Sequence, residues 1–186
     1  MKINNKEFYA KSIKQHGVSP LGVHWKNQDT QYKRFEILTD FIKHDITNSS
    51  IVDAGCGFGE YYKYLKEHNL LPKRYLGIDR EASMVEKAKD RFDTNFLVLN
   101  ILKEPLPKAD YYLSSGALNI LSIKEVDIFI ENIYKASEKG VVFNFLKGST
   151  FNGISQVEVM EIAQQYAQEL YLKEGYLEND FTLFLR

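Results

Sequence analysis

A predicted β-strand that runs into three closely spaced glycines constrains the fold of this chain more than any other feature. The apolar residues 51–54 predict a buried strand, and Gly55, Gly57 and Gly59 follow it directly. Glycine lets the backbone turn sharply and approach a ligand without a Cβ atom in the way. A helical pattern over residues 60–68 comes next, and the free N–H groups at its start would face the same ligand. Strand, glycine turn and helix in this order predict a ligand site at the end of the strand.

Short apolar runs alternate with helical patterns along most of the remaining chain, which is typical of βα units and a parallel sheet. The predicted strands cover residues 51–54, 74–78, 95–99, 111–113 and 141–146, and the predicted helices cover residues 60–68, 82–91, 124–137 and a stretch that ends near residue 168. Residues 170–172 and 181–185, with the turn Glu174-Gly175 between them, predict a β-hairpin. We therefore expect an α/β, Rossmann-like fold. It would have a mostly parallel seven-stranded sheet, helices on both faces and a C-terminal antiparallel hairpin that supplies the one antiparallel strand.

Two helical patterns, over residues 7–15 and 30–43, precede the alternating part of the chain. We expect residues 1–48 to form a helical lid or flank and residues 49–186 to form the ligand-binding domain. The first segment has no predicted strand, yet it carries the aromatic residues Phe8, Tyr9, Trp25, Tyr32 and Phe35. These rings predict that the segment closes over the ligand and excludes water. The alternative, that they only fix two helices to the sheet, stays open.

Composition and charge limit the location and the partners. The formal net charge of −1 leaves no basic surplus to neutralise phosphates, so we expect neither nucleic acid nor a membrane surface as a partner. The single cysteine, Cys56, excludes an intrachain disulfide and a cysteine-based zinc cluster, and we expect no metal. The polar start of the chain and its short apolar runs predict a cytoplasmic protein.

Two classes of ligand fit the glycine turn, and the first is a dinucleotide. Dinucleotide-binding proteins use the pattern G-x-G-x-x-G, in which the third glycine lets the helix pack closely on the strand beneath a pyrophosphate. Here the third glycine, Gly59, comes one position early, and Glu60 takes the place of the motif's glycine. A carboxylate beside a pyrophosphate would be repulsive, which disfavours this class without eliminating it.

The second class is indicated by a resemblance. The pattern D-x-G-x-G-x-G over residues 53–59 resembles motif I of the class I S-adenosylmethionine-dependent methyltransferases. Gly77-Ile78-Asp79, Leu99-Asn100-Ile101 and the segment 110–119 stand at the places of three further motifs of that superfamily. The segments 19–35, 143–145 and 180–182 resemble a branch of small bacterial methyltransferases with no assigned substrate.

The resemblance implies S-adenosylmethionine as the cofactor and suggests where its parts would lie. The carboxylate of Asp53 would help to hold the ammonium end of the methionine moiety, and that of Asp79 would accept both ribose hydroxyls. Arg80 and Met84 would lie near the adenine, whose amino group would donate to the amide oxygen of Asn100. The full set of implied cofactor residues is Asp53, Gly55, Cys56, Gly57, Gly59, Asp79, Arg80, Met84, Asn100, Ile101 and Ser115.

The acceptor side of the site has several candidates but no predicted catalytic base. The sulfonium already activates the methyl group, so the protein mainly aligns the reactants. The substrate-side candidates are Tyr9, His24, Trp25, Arg34, Asn119 and Asn144. The two asparagines would lie where open parallel sheets bind ligands, and Arg34, with Gln31 on a neighbouring turn, would orient a polar or anionic acceptor.

We therefore expect a methyltransferase (EC 2.1.1.-) that acts on a small molecule by in-line displacement. The segment 110–119 lacks the Asn/Asp-Pro-Pro-aromatic motif of nucleic-acid amino-methyltransferases, and no cysteine follows it to serve C5-cytosine chemistry. Two other functions stay open: a dinucleotide-dependent oxidoreductase or epimerase, and a non-catalytic cofactor-binding partner in a larger assembly. Both a monomer and a homodimer are compatible with the sequence.

Overall fold

The computed structural model describes residues 28–147 and 153–186. In chain order its strands are β1 (Ser50–Ala54), β2 (Arg74–Asp79), β3 (Asn95–Val98), β4 (Ala109–Ser115), β5 (Ser137–Leu146), β6 (Leu170–Glu174) and β7 (Asp180–Leu185). Its helices are α1 (Gln28–Ile42), α2 (Glu60–Glu67), α3 (Ala82–Arg91), α4 (Ile123–Ala136) and α5 (Gln156–Tyr166), with short 3₁₀ helices at Ile46–Asn48 and Ala117–Ile120. Every strand and helix expected within these residues is present, with ends shifted by a few positions. The helical pattern over residues 7–15 lies outside the described residues.

The seven strands form one sheet in the order β3-β2-β1-β4-β5-β7-β6. Neighbouring strands from β3 to β5 are parallel, whereas β7 runs antiparallel to both β5 and β6. The expectation of a mostly parallel sheet whose C-terminal hairpin supplies one antiparallel strand is confirmed. The chain winds outward from β1 to β3 on one side and from β4 onward on the other, so the strand order reverses between β1 and β4. Open α/β sheets bind their ligands in the crevice beside such a reversal.

Helices cover both faces of the sheet, as expected. Successive residues of a strand point to opposite faces, so the buried strands contribute to two hydrophobic cores. One core joins residues of α4 and α5 to Val52, Tyr112 and Phe143. The other joins residues of α1, α2 and α3 to Ile51 and Leu113, the alternate positions on the same strands.

Residues 28–48 belong to the second of these cores. Phe35, Leu38 and Ile42 of α1, and Ile46 of the following 3₁₀ helix, are all buried in it. Helix α1 also contacts β4, β5 and β7. This part of the expected N-terminal flank is therefore packed on the sheet as one of its covering helices. The closing movement expected of the flank stays a prediction, since residues 1–27 lie outside the described residues.

Candidate functional site

A cavity opens at the carboxyl ends of β1, β2 and β4, beside the reversal of strand order. Its walls come from the turns that follow β1, β2, β3 and β4 and from one face of α1. The predicted cofactor residues that line it are Asp53, Gly55, Cys56, Gly57, Asp79, Arg80, Met84, Asn100, Ile101 and Ser115. The fold thus brings together residues from four separate stretches of the sequence. Of the predicted set, Gly59 is the member that does not line the cavity.

The glycine turn bends the chain from β1 into α2 and is held against the end of β2. The N–H groups of Gly55 and Cys56 both donate to the carbonyl oxygen of Ile78, over 2.8 and 3.0 Å. Gly55 has a φ of 83°, and a Cβ atom on it would lie 2.4 Å from the Cβ atom of Ala117. Because only glycine accepts this conformation without strain and leaves room for Ala117, the turn requires glycine here.

Gly59 and Glu60 connect the turn to α2. Gly59 caps the helix with a φ of 78°, and a Cβ atom on it would lie 3.0 Å from the ring of Phe96. Glycine is therefore required at position 59 because of the rings that pack against the outer side of the turn, and not because of a ligand in the cavity. The Glu60 carboxylate lines the cavity, and its Oε1 atom lies 2.5 Å from Nη1 of Arg91. A pyrophosphate at this helix N-terminus would meet that carboxylate, which continues to disfavour a dinucleotide.

Asp53 places a buried carboxylate at the end of β1. The residue is 3% exposed, and its Oδ2 atom accepts a hydrogen bond of 2.7 Å from the hydroxyl of Tyr75. Burial raises the pKa of Asp53 to about 7; the Tyr75 hydrogen bond opposes this, and the nearby Asp79 adds to it. Among the described residues, no basic side chain forms an ion pair with Asp53. A ligand with an ammonium group would supply the counter-charge.

Tyr75 is a site residue that the sequence did not single out. It lies on β2, and Gly77, two residues further on, is the register partner of Asp53. Since side chains alternate along a strand, Tyr75 and Asp53 lie on the same face of the sheet. The sequence contains one signal for this contact, which is that Tyr75 lies two residues before Gly77. That spacing indicates the contact with Asp53 only when the pairing of β2 with β1 in this register is known.

Tyr61 of α2 lines the cavity and is also absent from the predicted site. Its hydroxyl lies 3.0 Å from Oγ1 of Thr39, which itself donates to the carbonyl oxygen of Phe35 over 2.7 Å. The Tyr61 hydroxyl must therefore donate to Thr39. Burial raises the pKa of Tyr61 well above its ordinary value, so the side chain is a neutral phenol.

Asp79 is the last residue of β2, and its carboxylate accepts hydrogen bonds from two backbone N–H groups. Its Oδ2 atom accepts from the N–H of Gly57 over 3.0 Å, and its Oδ1 atom accepts from the N–H of Glu81 over 2.9 Å. Burial raises the pKa of Asp79, although these two hydrogen bonds lower it. Each carboxylate oxygen keeps a further lone pair, so Asp79 can still accept from two ribose hydroxyls. The bond from Gly57 also occupies an amide that a phosphate would need.

The turn after β3 forms the end of the cavity predicted to hold the adenine. The Oδ1 atom of Asn100 accepts from the N–H of Leu102 over 3.0 Å, and the N–H of Asn100 donates to the Glu104 carboxylate over 2.6 Å. The amide oxygen therefore stabilises its own turn and retains one lone pair for a ligand. Met84 of α3 is buried and supplies an apolar surface.

The two asparagines predicted on the substrate side hold the loop after β4. The Oδ1 atom of Asn144 accepts from the N–H of Gly116 over 2.9 Å, and its Nδ2 atom lies 3.4 Å from Oγ of Ser115. The Oδ1 atom of Asn119 accepts from the N–H of Leu146 over 3.1 Å. Both residues are buried, and neither lines the cavity. Their observed contacts therefore fix the shape of the cavity wall, and a direct contact with substrate stays a prediction.

Arg34 pairs with Asp180 at the start of β7. Its Nε and Nη2 atoms donate to the two carboxylate oxygens over 2.5 and 2.9 Å, and the side chains are 11% and 5% exposed. This bidentate pair joins α1 to β7. The guanidinium is thus engaged by a carboxylate of the protein itself, and its predicted role toward an anionic acceptor is not tested by the geometry. The remaining candidates, Tyr9, His24 and Trp25, lie outside the described residues.

Three features limit the chemistry of the described part of the chain. Cys56 is buried, and burial raises the pKa of its thiol well above the ordinary value, which favours the protonated thiol over the nucleophilic thiolate. Across residues 28–147 and 153–186, no helix is both long and apolar enough to cross a membrane. In the same ranges, no three His, Cys, Asp or Glu side chains are grouped so that they could hold a metal ion.

Comparison with known proteins agrees with this geometry. A family model described as the methyltransferase domain matches residues 51–140, which include the glycine turn, Asp79 and β4. The N-methyltransferase NodS of Bradyrhizobium japonicum WM9, solved in complex with S-adenosyl-L-homocysteine, superimposes with a TM-score of 0.75. It shares 16% sequence identity, and the match covers 98% of each chain. The predicted resemblance to the class I S-adenosylmethionine-dependent methyltransferases is confirmed.

Two further solved structures share the fold of this protein. The magnesium protoporphyrin IX methyltransferase of Synechocystis PCC 6803, with bound S-adenosylhomocysteine, has a TM-score of 0.70 at 10% identity over 100% of this chain and 95% of its own. The PH0226 protein of Pyrococcus horikoshii OT3 has a TM-score of 0.75 at 13% identity over 92% of this chain and 97% of its own. No curated protein sequence matches the chain. S-adenosylmethionine, the expected cofactor, is the methyl donor of the superfamily, and it is bound in a second structure of the Synechocystis enzyme.

Proposed function

We propose that this protein transfers the methyl group of S-adenosylmethionine to a small-molecule acceptor by in-line displacement. The observation that carries the proposal is a pair of carboxylates, the buried Asp53 and the partly exposed Asp79, at the ends of adjacent strands on one cavity. Among the described residues neither carboxylate takes part in an ion pair. A cofactor with an ammonium group at one end and a ribose in its middle offers a hydrogen-bonding partner to each.

Each part of the cofactor has a matching group in the cavity. Asp53 would hold the ammonium group, because it is the more deeply buried of the two carboxylates and has the greater need of a positive partner. Asp79 would accept the ribose hydroxyls with the lone pairs left by its two backbone bonds. The adenine would lie between Met84 and the turn after β3, where the Oδ1 atom of Asn100 can accept from the amino group.

The protein's own contribution to the chemistry is alignment and exclusion of water. When bound, the sulfonium supplies a methyl group that is already activated for displacement. The apolar part of the lining comes from both hydrophobic cores: Phe35 and Tyr61 belong to one core, and Leu121 and Phe129 belong to the other. These apolar surfaces would hold an acceptor in line with the transferred group while keeping water out.

A small acceptor fits these surroundings better than a polymer. Helix α1 is buried against the sheet and contributes Gln31 and Phe35 to the cavity wall, so the space beside Asp53 is bounded on the side that an acceptor must use. The net charge of −1 also gives no general attraction for a polyanion.

Calorimetry and a transfer assay test the proposal. The protein should bind S-adenosylhomocysteine and not NAD, and label from methyl-labelled S-adenosylmethionine should appear in a component of a small-molecule extract. Tighter binding of NAD would favour the oxidoreductase or epimerase. Binding of S-adenosylhomocysteine without transfer to any component would favour the non-catalytic partner. An Asp79→Ala protein is the control for label incorporation that does not depend on the site.

A further inference from the structure

One side chain in the cavity wall has a hydrogen-bonding atom without a partner. Gln31 of α1 is 3% exposed and lines the cavity. Its Oε1 atom is the single buried side-chain nitrogen or oxygen without a hydrogen-bond partner in the part of the chain that the structure describes. Leaving a buried carbonyl oxygen unpaired is unfavourable, and such atoms are rare in native proteins. A hydrogen-bond donor on a ligand in the cavity would account for it.

Gln31 lies on the same side of the cavity as Phe35, Tyr61 and Asp53. Phe35 follows one helical turn later on the same face of α1, and its ring centroid is 5.2 Å from that of Tyr61. The charge of Asp53 influences the Tyr61 phenol, which places these rings near the carboxylate assigned to the methionine end. The residues assigned to the adenine come from α3 and the turn after β3, and thus from other elements.

The charges of the cavity wall restrict the ligand that Gln31 can meet. The charged residues among the described lining are Asp53, Glu60, Asp79, Arg80 and Glu81. Four of these five are acidic, and Nε of the single arginine lies 3.5 Å from the Glu81 carboxylate. On α1, the guanidinium of Arg34 is engaged by Asp180. A carboxylate or phosphate group near Gln31 would meet negative charge and a carbonyl oxygen.

We infer that the Oε1 atom of Gln31 orients the methyl acceptor by accepting a hydrogen bond from an amine or hydroxyl group, carried on an apolar body that packs against Phe35 and Tyr61. This inference rests on the proposed methyl transfer and adds the chemical class of the acceptor. Neutral and cationic molecules with an N–H or O–H donor are included, and carboxylates and phosphates are excluded. Gln31 acts here as a positioning residue for the substrate.

Three probes of nearly equal size test the class of ligand: phenethylamine, 2-phenylethanol and phenylacetate. Each is titrated into protein saturated with S-adenosylhomocysteine and followed by calorimetry and by the NMR signals of the Gln31 side-chain amide. The amine and the alcohol should bind and shift those signals, and phenylacetate should bind at least about tenfold more weakly. Equal affinity for phenylacetate and phenethylamine would overturn the inference.

Two variants test the residue. Gln31→Leu has a similar size and no acceptor atom, so its affinity for phenethylamine should fall by about tenfold or more. Gln31→Glu keeps an acceptor oxygen and should bind the amine at least as tightly as the wild type. Gln28→Leu, at an exposed position of the same helix, is the matched control and should change nothing. Unchanged amine affinity in Gln31→Leu would contradict the assignment.

Stability and cofactor affinity separate this role from two others. Because Gln31→Leu removes an unpaired buried oxygen, its unfolding temperature should rise by about 2–4 °C. A fall in the unfolding temperature of Gln31→Leu would show that the Oε1 atom of Gln31 has a structural partner. A tenfold loss of S-adenosylhomocysteine affinity would assign the oxygen to the cofactor's ammonium group; either result overturns the inference. Cofactor binding by the wild type tests the proposed function, whereas the amine affinity of a variant relative to wild type tests Gln31, so the two failures are distinguishable.

Discussion

The hydroxyl of Tyr75 donates a hydrogen bond of 2.7 Å to Oδ2 of Asp53, and both side chains are buried. A phenol is a neutral donor, so it offsets part of the cost of burying the carboxylate without supplying a positive charge. Asp53 accordingly has a raised pKa of about 7, and at neutral pH it is close to half protonated. A cationic ligand group would complete the charge pair that Tyr75 cannot complete.

The affinity for S-adenosylhomocysteine should rise with pH through neutrality. In the proposed assignment the ionised form of Asp53 binds the ammonium group, and the pKa of Asp53 in the free protein is about 7. Between pH 6 and pH 8 the ionised fraction rises from the minor to the major form, so the association constant should increase by about tenfold. Calorimetry at pH 6, 7 and 8 measures this, and Asp53→Asn, which cannot ionise, should bind weakly with no such rise. A flat wild-type profile would remove Asp53 from the ammonium site.

Tyr75→Phe should move this pH dependence to higher pH. The Tyr75 hydrogen bond lowers the pKa of Asp53, so its loss lets burial raise that pKa further. The variant should bind S-adenosylhomocysteine more weakly than wild type at pH 7 and approach wild-type affinity at pH 8.5. The same calorimetric series checks it. An equal loss of affinity at every pH would show instead that Tyr75 shapes the site without tuning Asp53.

Asp53→Asn should stabilise the ligand-free protein at neutral and alkaline pH. The pKa of Asp53 is 3.8 in the unfolded chain and about 7 in the folded protein, so between these values the folded state binds more protons. Wild-type stability therefore falls as pH rises from about 4 to 7, by as much as about 4 kcal/mol. The Asp53→Asn variant should not lose stability over this pH range. Denaturant unfolding of the wild type and the variant at pH 4 and pH 8 measures the difference. A variant less stable than wild type at pH 8 would contradict the prediction.

Asp79→Ala should weaken binding of S-adenosylhomocysteine by about 1.5–3 kcal/mol, the range for hydrogen bonds to a charged group. The variant also loses the bonds to the N–H groups of Gly57 and Glu81, so its folding needs a separate check by circular dichroism. Asp79→Asn is a second variant of the same size, which lacks the charge and keeps one of the two oxygens that accept from the N–H groups of Gly57 and Glu81. Unchanged affinity in a folded Asp79→Ala protein would refute the ribose assignment.

Arg34→Met should destabilise the protein by about 3–5 kcal/mol, since it leaves the buried carboxylate of Asp180 without its partner. Combining it with Asp180→Leu removes both charges and should restore most of that loss. Chemical denaturation of the wild type, the two single variants and the double variant measures the coupling between the residues. If Arg34→Met kept wild-type stability and lost methyl transfer, Arg34 would instead serve the acceptor, as the sequence suggested.

The sequence predicted most of the fold because each element carries a local signal. The apolar run of β1 and the glycines after it act over a few residues, and the structure confirms the strands, both helical layers and the single antiparallel strand. The residues implied by the resemblance also line one cavity, with the exception of Gly59. That exception has a physical reason, since Gly59 is required by the rings packed behind the turn.

The side-chain contacts of the site were not predicted from the sequence, because they join distant parts of the chain. Tyr75 meets Asp53 through the register of β1 on β2, and Arg34 meets Asp180 across 146 positions. Asn144 looks like a ligand-facing residue at the favoured edge of the sheet, yet its amide is bonded to the loop after β4. Side-chain direction at such positions follows from which strands are neighbours, and the order of the strands is not a local property.

The ion pair between α1 and β7 can form only late in synthesis, because β7 is the last strand of the chain. Helix α1 and the strands β1 to β4 emerge from the ribosome before Asp180, and domains can begin to fold as they emerge. A nascent chain could therefore form the glycine turn and position the carboxylates of Asp53 and Asp79 while α1 still lacks its ion pair with β7. The contacts of α1 with β7, which include this ion pair, form when β7 takes its place between β5 and β6, so the wall that carries Gln31 and Phe35 is completed last. Incomplete chains would then carry the two carboxylates of the cavity before the cavity wall formed by α1 is complete.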